Sequence, residues 1–289
     1  GDGSMRIGFV GLGIMGESMC ENIVKKSGEE VWVFDISPKA VEKLVKLGAN
    51  AASSNKDVAE KCDVIISMVP KSEHVKAVYS EFLKVLTPGK LLIDMSTIDP
   101  STSCELSKKV KEKQCLMIDA PVVKSKPAAI AGELGIYVGG DKEAFERAKG
   151  ILSYMGKNII FMGKNGTGLI MKICHNMLVS QIQNGVNETV TLAGKSGLNF
   201  DDVITAISYG GGQNFYLDGK QNAIKNHDFT TAFSVENMNK DINIAVSLAK
   251  ELKIDLPGAK NVQKVYSKAM ESGYGKEDFS ATIKVVEDK

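Results

Sequence analysis

Histidine is the scarcest chemically versatile residue in this chain. Only three occur among 289 residues, His74, His175 and His227, and they lie far apart. The five cysteines, Cys20, Cys62, Cys104, Cys115 and Cys174, include no CxxC pair. Neither set has the spacing of a zinc site, so no metal is expected. An odd number of scattered cysteines fits a reducing cytosol, each thiol reading as a small buried apolar group. Long apolar runs are also missing. None reaches eighteen residues, so no membrane-spanning helix is expected. There is no excess of one charge: 36 basic residues face 35 acidic ones, a formal net charge of +1. That makes no electrostatic case for nucleic acid or a membrane surface as partner.

What is present is the composition of a globular protein, with 43% hydrophobic and 25% charged residues. The length suits one large domain or two ordinary ones. Gly1 to Ser4 precede Met5 and read as a cloning scar. Nothing after Met5 resembles a signal peptide, so a cytoplasmic protein is expected.

The most informative segment is Gly11-Leu12-Gly13-Ile14-Met15-Gly16, directly after the apolar run Ile7–Val10. A second apolar run, Val31–Phe34, ends at Asp35, nineteen residues after Gly16. This is the layout of a dinucleotide-binding βαβ unit. Gly11 permits the tight turn, Gly13 lets backbone approach a pyrophosphate, and Gly16 lets the next helix pack closely. The helix N-terminus offers N–H groups and a positive dipole end to phosphate. A carboxylate at Asp35 suits adenosine ribose hydroxyls and repels a 2′-phosphate, which favours NAD over NADP. The nearest following cation is Lys39.

Up to about Phe161, short apolar runs alternate with amphipathic stretches. Strands are predicted at Arg6–Val10, Val31–Phe34, Val64–Met68, Leu91–Asp94, Leu116–Asp119, Gly135–Val138 and Asn158–Phe161. Helices such as Pro38–Leu47 and Ser103–Lys113 lie between them, with Ser37 as an N-cap and Pro38 in the first turn. The alternation predicts a parallel, doubly wound sheet. After Gly163 only helical patterns continue: Gly168–Gly194, Asp201–Ile207, Ser234–Leu252 and Ala259–Ser272. The first would extend about 40 Å at the usual rise per residue and could join a sheet domain to a helical one. The domains are thus read as 5–163 and 164–289. Ligands of such sheets bind beyond the strands' carboxyl ends, which points to Val69-Pro70-Lys71, Met95-Ser96-Thr97 and Ala120–Ser125.

Dehydrogenation needs a proton donor or acceptor beside the reacting oxygen. No histidine is an obvious candidate. Lys172 lies in an apolar helix, where a closed cleft would disfavour its charge and lower its pKa. Asn176 follows four residues later on the same face. The alternative is that Lys172 snorkels to solvent and Asn176 caps a backbone group.

With these residues in view, the chain resembles the β-hydroxyacid dehydrogenases, the group of 3-hydroxyisobutyrate dehydrogenase, tartronate semialdehyde reductase and relatives of 6-phosphogluconate dehydrogenase. The resemblance covers nearly all of Met5 to Lys289. Its motifs are Gly8–Gly16; Asp119-Ala120-Pro121-Val122 with Gly132 and Val138-Gly139-Gly140; Gly166-Thr167-Gly168 with Lys172 and Asn176; and Lys240-Asp241. It implies Lys172 as general acid/base and Asn176 as a substrate ligand. It implies Val69, Pro70, Thr97 and Lys240 at the cofactor, together with Gly11, Leu12, Gly13, Ile14, Met15, Gly16 and Asp35. Ser96 and Thr97 would flank the nicotinamide. A homodimer or homotetramer is also implied, and no metal.

Several residues depart from that pattern. His74 and His175 stand where relatives often carry Asn, and His175 reads as packing or support. The usual Ser-Gly-Gly after Asp-Ala-Pro-Val is replaced by Val123-Lys124-Ser125. Lys124 would supply a point charge for an anionic group, with Ser125 adding a hydroxyl and Val123 lining the loop. This is somewhat similar to the sulfolactaldehyde reductase branch. The alternative has Lys124 in solvent. Gly210-Gly211-Gly212-Gln213-Asn214 replaces a pattern in which relatives often carry Arg at the position of Gln213.

The expected fold is an N-terminal Rossmann sheet plus an all-helical C-terminal domain, joined by a long helix. The expected reaction is NAD-dependent interconversion of a small anionic β-hydroxyacid and its semialdehyde or keto form. The alternatives are reduction of a sulfonated or otherwise strongly anionic aldehyde, imine reduction, and a non-catalytic NAD-binding module.

Overall fold

The computed structural model describes residues 5–287. The segment read as a cloning scar lies outside the described residues. The first strands are β1 (Arg6–Val10), β2 (Glu30–Phe34), β3 (Asn50–Ala51), β4 (Val64–Ser67), β5 (Leu91–Asp94) and β6 (Leu116–Asp119). They run parallel in the order β3-β2-β1-β4-β5-β6. The helices between them are α1 (Ile14–Lys26), α2 (Pro38–Lys46), α3 (Asn55–Lys61), α4 (Ser72–Leu83) and α5 (Pro100–Glu112).

The central strands are buried nearly throughout, mostly by apolar residues, because helices cover both sheet faces. Successive residues feed opposite cores, as a period of two requires. Ile7, Phe9, Ile66, Leu91, Ile93 and Ile118 enter one core with Met19 and Ile23 of α1. Val10, Ile65, Leu92 and Met117 enter the other with Tyr79 and Phe82 of α4. The chain order reverses between β1 and β4, so the sheet opens a crevice there at its carboxyl edge.

The remainder of the sheet is β7 (Val122–Val123), β8 (Leu134–Gly139) and β9 (Gly156–Gly163), with α6 (Lys126–Ala131) and α7 (Lys142–Leu152). The expectation of a wholly parallel sheet needs one correction. β8 runs antiparallel to both β6 and β7, while β9 runs parallel to β8. The pairs Asp119↔Gly139, Val122↔Ile136 and Val123↔Gly135 share one register. β6 and β7 are therefore one strand that turns away from β5 at Ala120-Pro121. Pro121 donates nothing to the ladder, but its carbonyl accepts from Tyr137 N at 3.1 Å.

After β9 come α8 (Thr167–Lys195), α9 (Phe200–Ile207), α10 (Phe215–Lys225), α11 (Val235–Glu251), α12 (Pro257–Glu271), a 3₁₀ turn over Phe279–Thr282 and α13 (Ile283–Glu287). By contacts the chain divides inside α8, into a unit ending at Lys172 and one beginning at Ile173. In the second unit, Val235, Met238 and Ile242 of α11 pack with Val262, Tyr266 and Ala269 of α12. Their three- and four-residue spacing marks one apolar face on each helix.

The ends of several helices follow their sequence signals. Asn199 accepts from the Asp201 amide, Asn214 from Leu217 and Ser234 from Asn237. Ser37 occupies the N-cap of α2 as expected, but its hydroxyl makes no capping bond. Cys174 is exposed, unlike the buried Cys20, Cys62 and Cys115, which corrects the reading of every thiol as interior. No described helix is long and apolar enough to cross a membrane.

Candidate active site

The cofactor cradle begins with the turn out of β1. Gly11 has φ +98°, and a Cβ there would lie 2.1 Å from the Met68 carbonyl oxygen. Only glycine fits. At Gly16 a Cβ would lie 2.1 Å from the Gly11 carbonyl oxygen, so this glycine lets α1 close onto the turn. Gly13 is different: no atom lies within 4 Å of where its Cβ would be. Open space over backbone, at a helix start that no side chain caps, is what a pyrophosphate requires. Ile14 is exposed and Met15 half-buried. The residues present thus fit a bound dinucleotide.

Asp35 reaches back to this turn. Its Oδ2 accepts from Leu12 N at 2.7 Å and its Oδ1 from Ser37 N at 2.8 Å. The carboxylate is half-buried at the end of β2. Each oxygen keeps lone-pair capacity for another donor.

The turns after β4 and β5 are tied together by a buried carboxylate. Asp94 Oδ1 accepts from Ser67 Oγ at 2.8 Å and Ser96 Oγ at 2.7 Å. Ser96 Oγ in turn accepts from Val69 N at 2.9 Å. Val69 lies against Gly11, its Cγ1 3.0 Å from the position of an added Cβ. Burial pushes the Asp94 carboxyl up to about 6, against the hydroxyl bonds that favour its charge. Ser96, expected among the substrate-binding residues, has its hydroxyl engaged on both sides. It is 1% exposed. Thr97 is half-buried and Pro70 exposed beside Val69.

A second buried carboxylate starts the long helix. Asp119 Oδ1 accepts from Gly166 N at 2.8 Å and Oδ2 from Leu169 N at 3.0 Å. It acts as an N-cap supplied from a strand. The glycines around it make room: a Cβ on Gly139 would lie 2.8 Å from both oxygens, and one on Gly168 2.9 Å from Oδ2. Burial pushes this carboxyl up to about 6 as well, against the amide bonds.

The loop after β7 holds Lys124 at φ +82°. This is the left-handed region, where a side chain is strained. Lys124 and Ser125 are exposed. Val123 packs across the ladder, its Cγ2 2.5 Å from where a Gly135 Cβ would be. The glycine expected by resemblance at position 124 is missing, but the backbone conformation that favours it is retained.

One face of α8 is polar and buried. Lys172, Asn176, Ser180, Gln183 and Asn187 follow a four-four-three-four spacing, all 9% exposed or less. Asn176 Nδ2 donates to Asp241 Oδ2 at 2.7 Å, and Lys240 Nζ lies 3.8 Å from Asp241 Oδ1. Asn176, Lys240 and Asp241 thus meet. Gln183 Nε2 donates to Asn187 Oδ1 at 2.6 Å, and Asn187 Nδ2 to Thr282 Oγ1 at 2.9 Å. His74 is exposed and His175 half-buried. Gln213 is exposed and donates to Asp218 at 2.6 Å. Among the described residues no group of three His, Cys, Asp or Glu could hold a metal.

The sequence reading missed Asp94, Gln183 and Asn187. The three- and four-residue spacing of polar residues along α8 signals the last two. Asp94 carries only a weak signal, an acid ending an apolar strand.

A glycine turn out of the first strand and an acid just after the second are the features of a dinucleotide-binding fold. The family described as the NAD binding domain of 6-phosphogluconate dehydrogenase matches residues 6–163. That described as the NAD-binding part of NADP-dependent 3-hydroxyisobutyrate dehydrogenase matches residues 166–286. The chain is 33% identical to an NAD-dependent L-serine dehydrogenase of Pseudomonas aeruginosa, over 97% of each chain. It is 35% identical to a 3-hydroxyisobutyrate dehydrogenase of the same organism, over 98% of this chain and 99% of that one. The solved structure of a Mycobacterium tuberculosis 3-hydroxyisobutyrate dehydrogenase with L-serine matches at a TM-score of 0.91 and 30% identity. The match covers 98% of this chain and 99% of that one. The chain belongs to the β-hydroxyacid dehydrogenase family. It is an NAD(P)-dependent oxidoreductase acting on CH–OH groups of small hydroxyacids.

Proposed function

We propose that the chain interconverts a small β-hydroxyacid and its semialdehyde or keto form with NAD, using Lys172 as general acid/base. The carrying observation is the buried face of α8. Lys172, 9% exposed, stands one turn before Asn176, whose amide is fixed by Asp241. The reaction needs a proton donor or acceptor beside the reacting oxygen, and a lysine amine can serve as either. In reduction Lys172 Nζ would donate a proton to the carbonyl oxygen; in oxidation it would take the hydroxyl proton. Asn176 would orient the reacting group, and its bond to Asp241 limits its rotation. Bound nicotinamide supplies or accepts the hydride. Gly11 to Gly16 would hold its pyrophosphate, Asp35 its ribose, and Val69, Pro70, Thr97 and Lys240 would complete the cofactor contacts. L-serine and 3-hydroxyisobutyrate, which name the relatives' activities, are both small acids with a β-hydroxyl and are the first substrates to test.

NAD is proposed over NADP because Asp35 presents a carboxylate where a 2′-phosphate would sit. Residues 5–163 are taken as the cofactor domain and 164–289 as the helical substrate and oligomerisation domain of a cytoplasmic homodimer or homotetramer.

One observation favours a second reading, reduction of a sulfonated or otherwise strongly anionic aldehyde. Lys124 is exposed in a conformation that disfavours side chains. An anion anchored by Lys124, with Val123 and Ser125 beside it, would offset that strain.

The test is a panel at 340 nm of 3-hydroxyisobutyrate, L-serine, the matching semialdehydes, glyoxylate and a sulfonated aldehyde, with NAD(H) and NADP(H). A carboxylate substrate as best supports the first reading and a sulfonate the second. Lys172→Met should lose activity by at least about a hundredfold with NADH still bound. Full activity in that variant sinks the role of Lys172. NADH binding with no turnover on any substrate moves weight to a binding module.

A further inference from the structure

Asp94 and Asp119 are direct neighbours: β5 and β6 pair them in register at the sheet's carboxyl edge. Both carboxylates are fully buried. Each holds a different piece of backbone. Asp94 holds Ser96, and Ser96 holds the Val69 amide beside the glycine turn. Asp119 holds the Gly166 and Leu169 amides at the start of the helix that carries Lys172.

We propose that Asp94 and Asp119 are two positioning residues with separate tasks, Asp94 setting the cofactor-side turn through Ser96 and Asp119 setting Lys172 through the first turn of α8. The proposal rests on the reading of Lys172 as acid/base and of Val69 as a cofactor contact.

Rigidity links each carboxylate to its task. Leu169 lies three residues before Lys172, less than one helical turn. A helix start fixed by two charge-assisted bonds cannot fray or slide, so the lysine Cα is placed by Asp119. The surrounding glycines allow no slack, since a methyl on Gly139 or Gly168 would strike the carboxylate. An asparagine at 119 could still accept from one amide, but its NH₂ would face the other N–H, donor against donor. The geometry of Asp94 differs. Only Oδ1 has hydrogen-bond partners, Ser67 and Ser96; the buried Oδ2 has none. An asparagine at 94 can keep Oδ1 in place and set its NH₂ where no donor opposes it. The two neighbours should therefore respond oppositely to the same Asp→Asn change.

The experiment measures NADH affinity by fluorescence and steady-state kinetics on the full-length enzyme. Asp119→Asn should lower kcat about a hundredfold, as a misplaced acid/base does, with NADH affinity within threefold of wild type. Lys172→Met/Asp119→Asn should be no slower than Lys172→Met alone, because both changes remove one function. Ser96→Ala and Asp94→Ala should weaken NADH about fivefold or more, the loss expected for one hydrogen bond. Asp94→Asn should recover most of that loss. If Asp119→Asn does not fold, Gly139→Ala, which presses on both Asp119 oxygens, must lower kcat in the same selective way.

Multiplying losses in the Lys172/Asp119 double variant overturn the Asp119 assignment, as does an equal loss of NADH affinity and kcat in Asp119→Asn. Wild-type NADH affinity in Ser96→Ala overturns the Asp94 assignment. Unimpaired Lys172→Met would instead defeat the acid/base reading itself, a result separate from these.

Discussion

The Leu12 amide donates to the Asp35 carboxylate at 2.7 Å, so the residue expected to select the cofactor also holds the glycine turn in shape. The proposed choice of cofactor and the loop geometry rest on one side chain. Asp35→Ala should shift the ratio of kcat/KM values from NADH toward NADPH by at least about tenfold, through removal of the like charge. It should also weaken NADH, because the Leu12 N–H loses its acceptor at a cost of about 1 kcal/mol or more. A preference for NADPH in the wild type would contradict the reading of Asp35.

Asn176 and Asp241 are one unit at 2.7 Å in buried surroundings. Asn176→Ala leaves the buried Asp241 carboxylate with one partner fewer. Stability should fall by about 1–3 kcal/mol, read as a lower urea midpoint. The KM for the hydroxyacid should rise more than tenfold, and the KM for NAD little. An unchanged substrate KM would remove Asn176 from the site.

Lys124→Gly separates strain from binding. Glycine adopts φ near +80° without penalty, so the variant should be more stable by about 1 kcal/mol. The thermal midpoint should rise by a few degrees. The same change should raise the KM for the acid substrate, and more for a sulfonate if the second reading holds. A stabilised enzyme with unchanged kinetics would make Lys124 a bystander.

The pH dependence of stability has a sign that Asp94 dictates. Burial lifts its carboxyl to about 6 from 3.8, with the Ser96 and Ser67 bonds opposing and the Asp119 charge adding. The titratable groups facing it are Asp119, paired with it across the sheet, and the buried Tyr79, 3.4 Å from Ser67. Between pH 4 and 6 the native protein holds this proton more tightly than the unfolded chain does. The stabilisation is full below 3.8 and is lost as pH rises through 6. Asp94→Asn keeps the Oδ1 bonds and removes the buried charge, so at pH 7 it should be at least as stable as wild type. The difference between the two proteins should shrink as pH falls toward 4. Urea titrations at pH 4.5 and 7 measure it; a gap that widens in acid would reverse the sign.

Much was determined by local sequence alone. The glycine turn, Asp35, the central parallel strands and the long helix through Lys172 were legible because each rests on short-range rules. Apolar runs, steric demands on backbone and helical spacing act within a few residues. Weaker elements escaped for the same reason. β3 and β7 have two residues each, and α10 carries Gly219 and Asn222, both poor helix formers. What only the tertiary structure decided are long-range pairings. Asp119 caps α8 from forty-seven residues away, Asp241 fixes Asn176 from sixty-five, and β6 bends at Pro121 to meet an antiparallel partner. A buried carboxylate takes its task from whichever amides the fold brings to it, and no periodicity along the chain encodes that meeting.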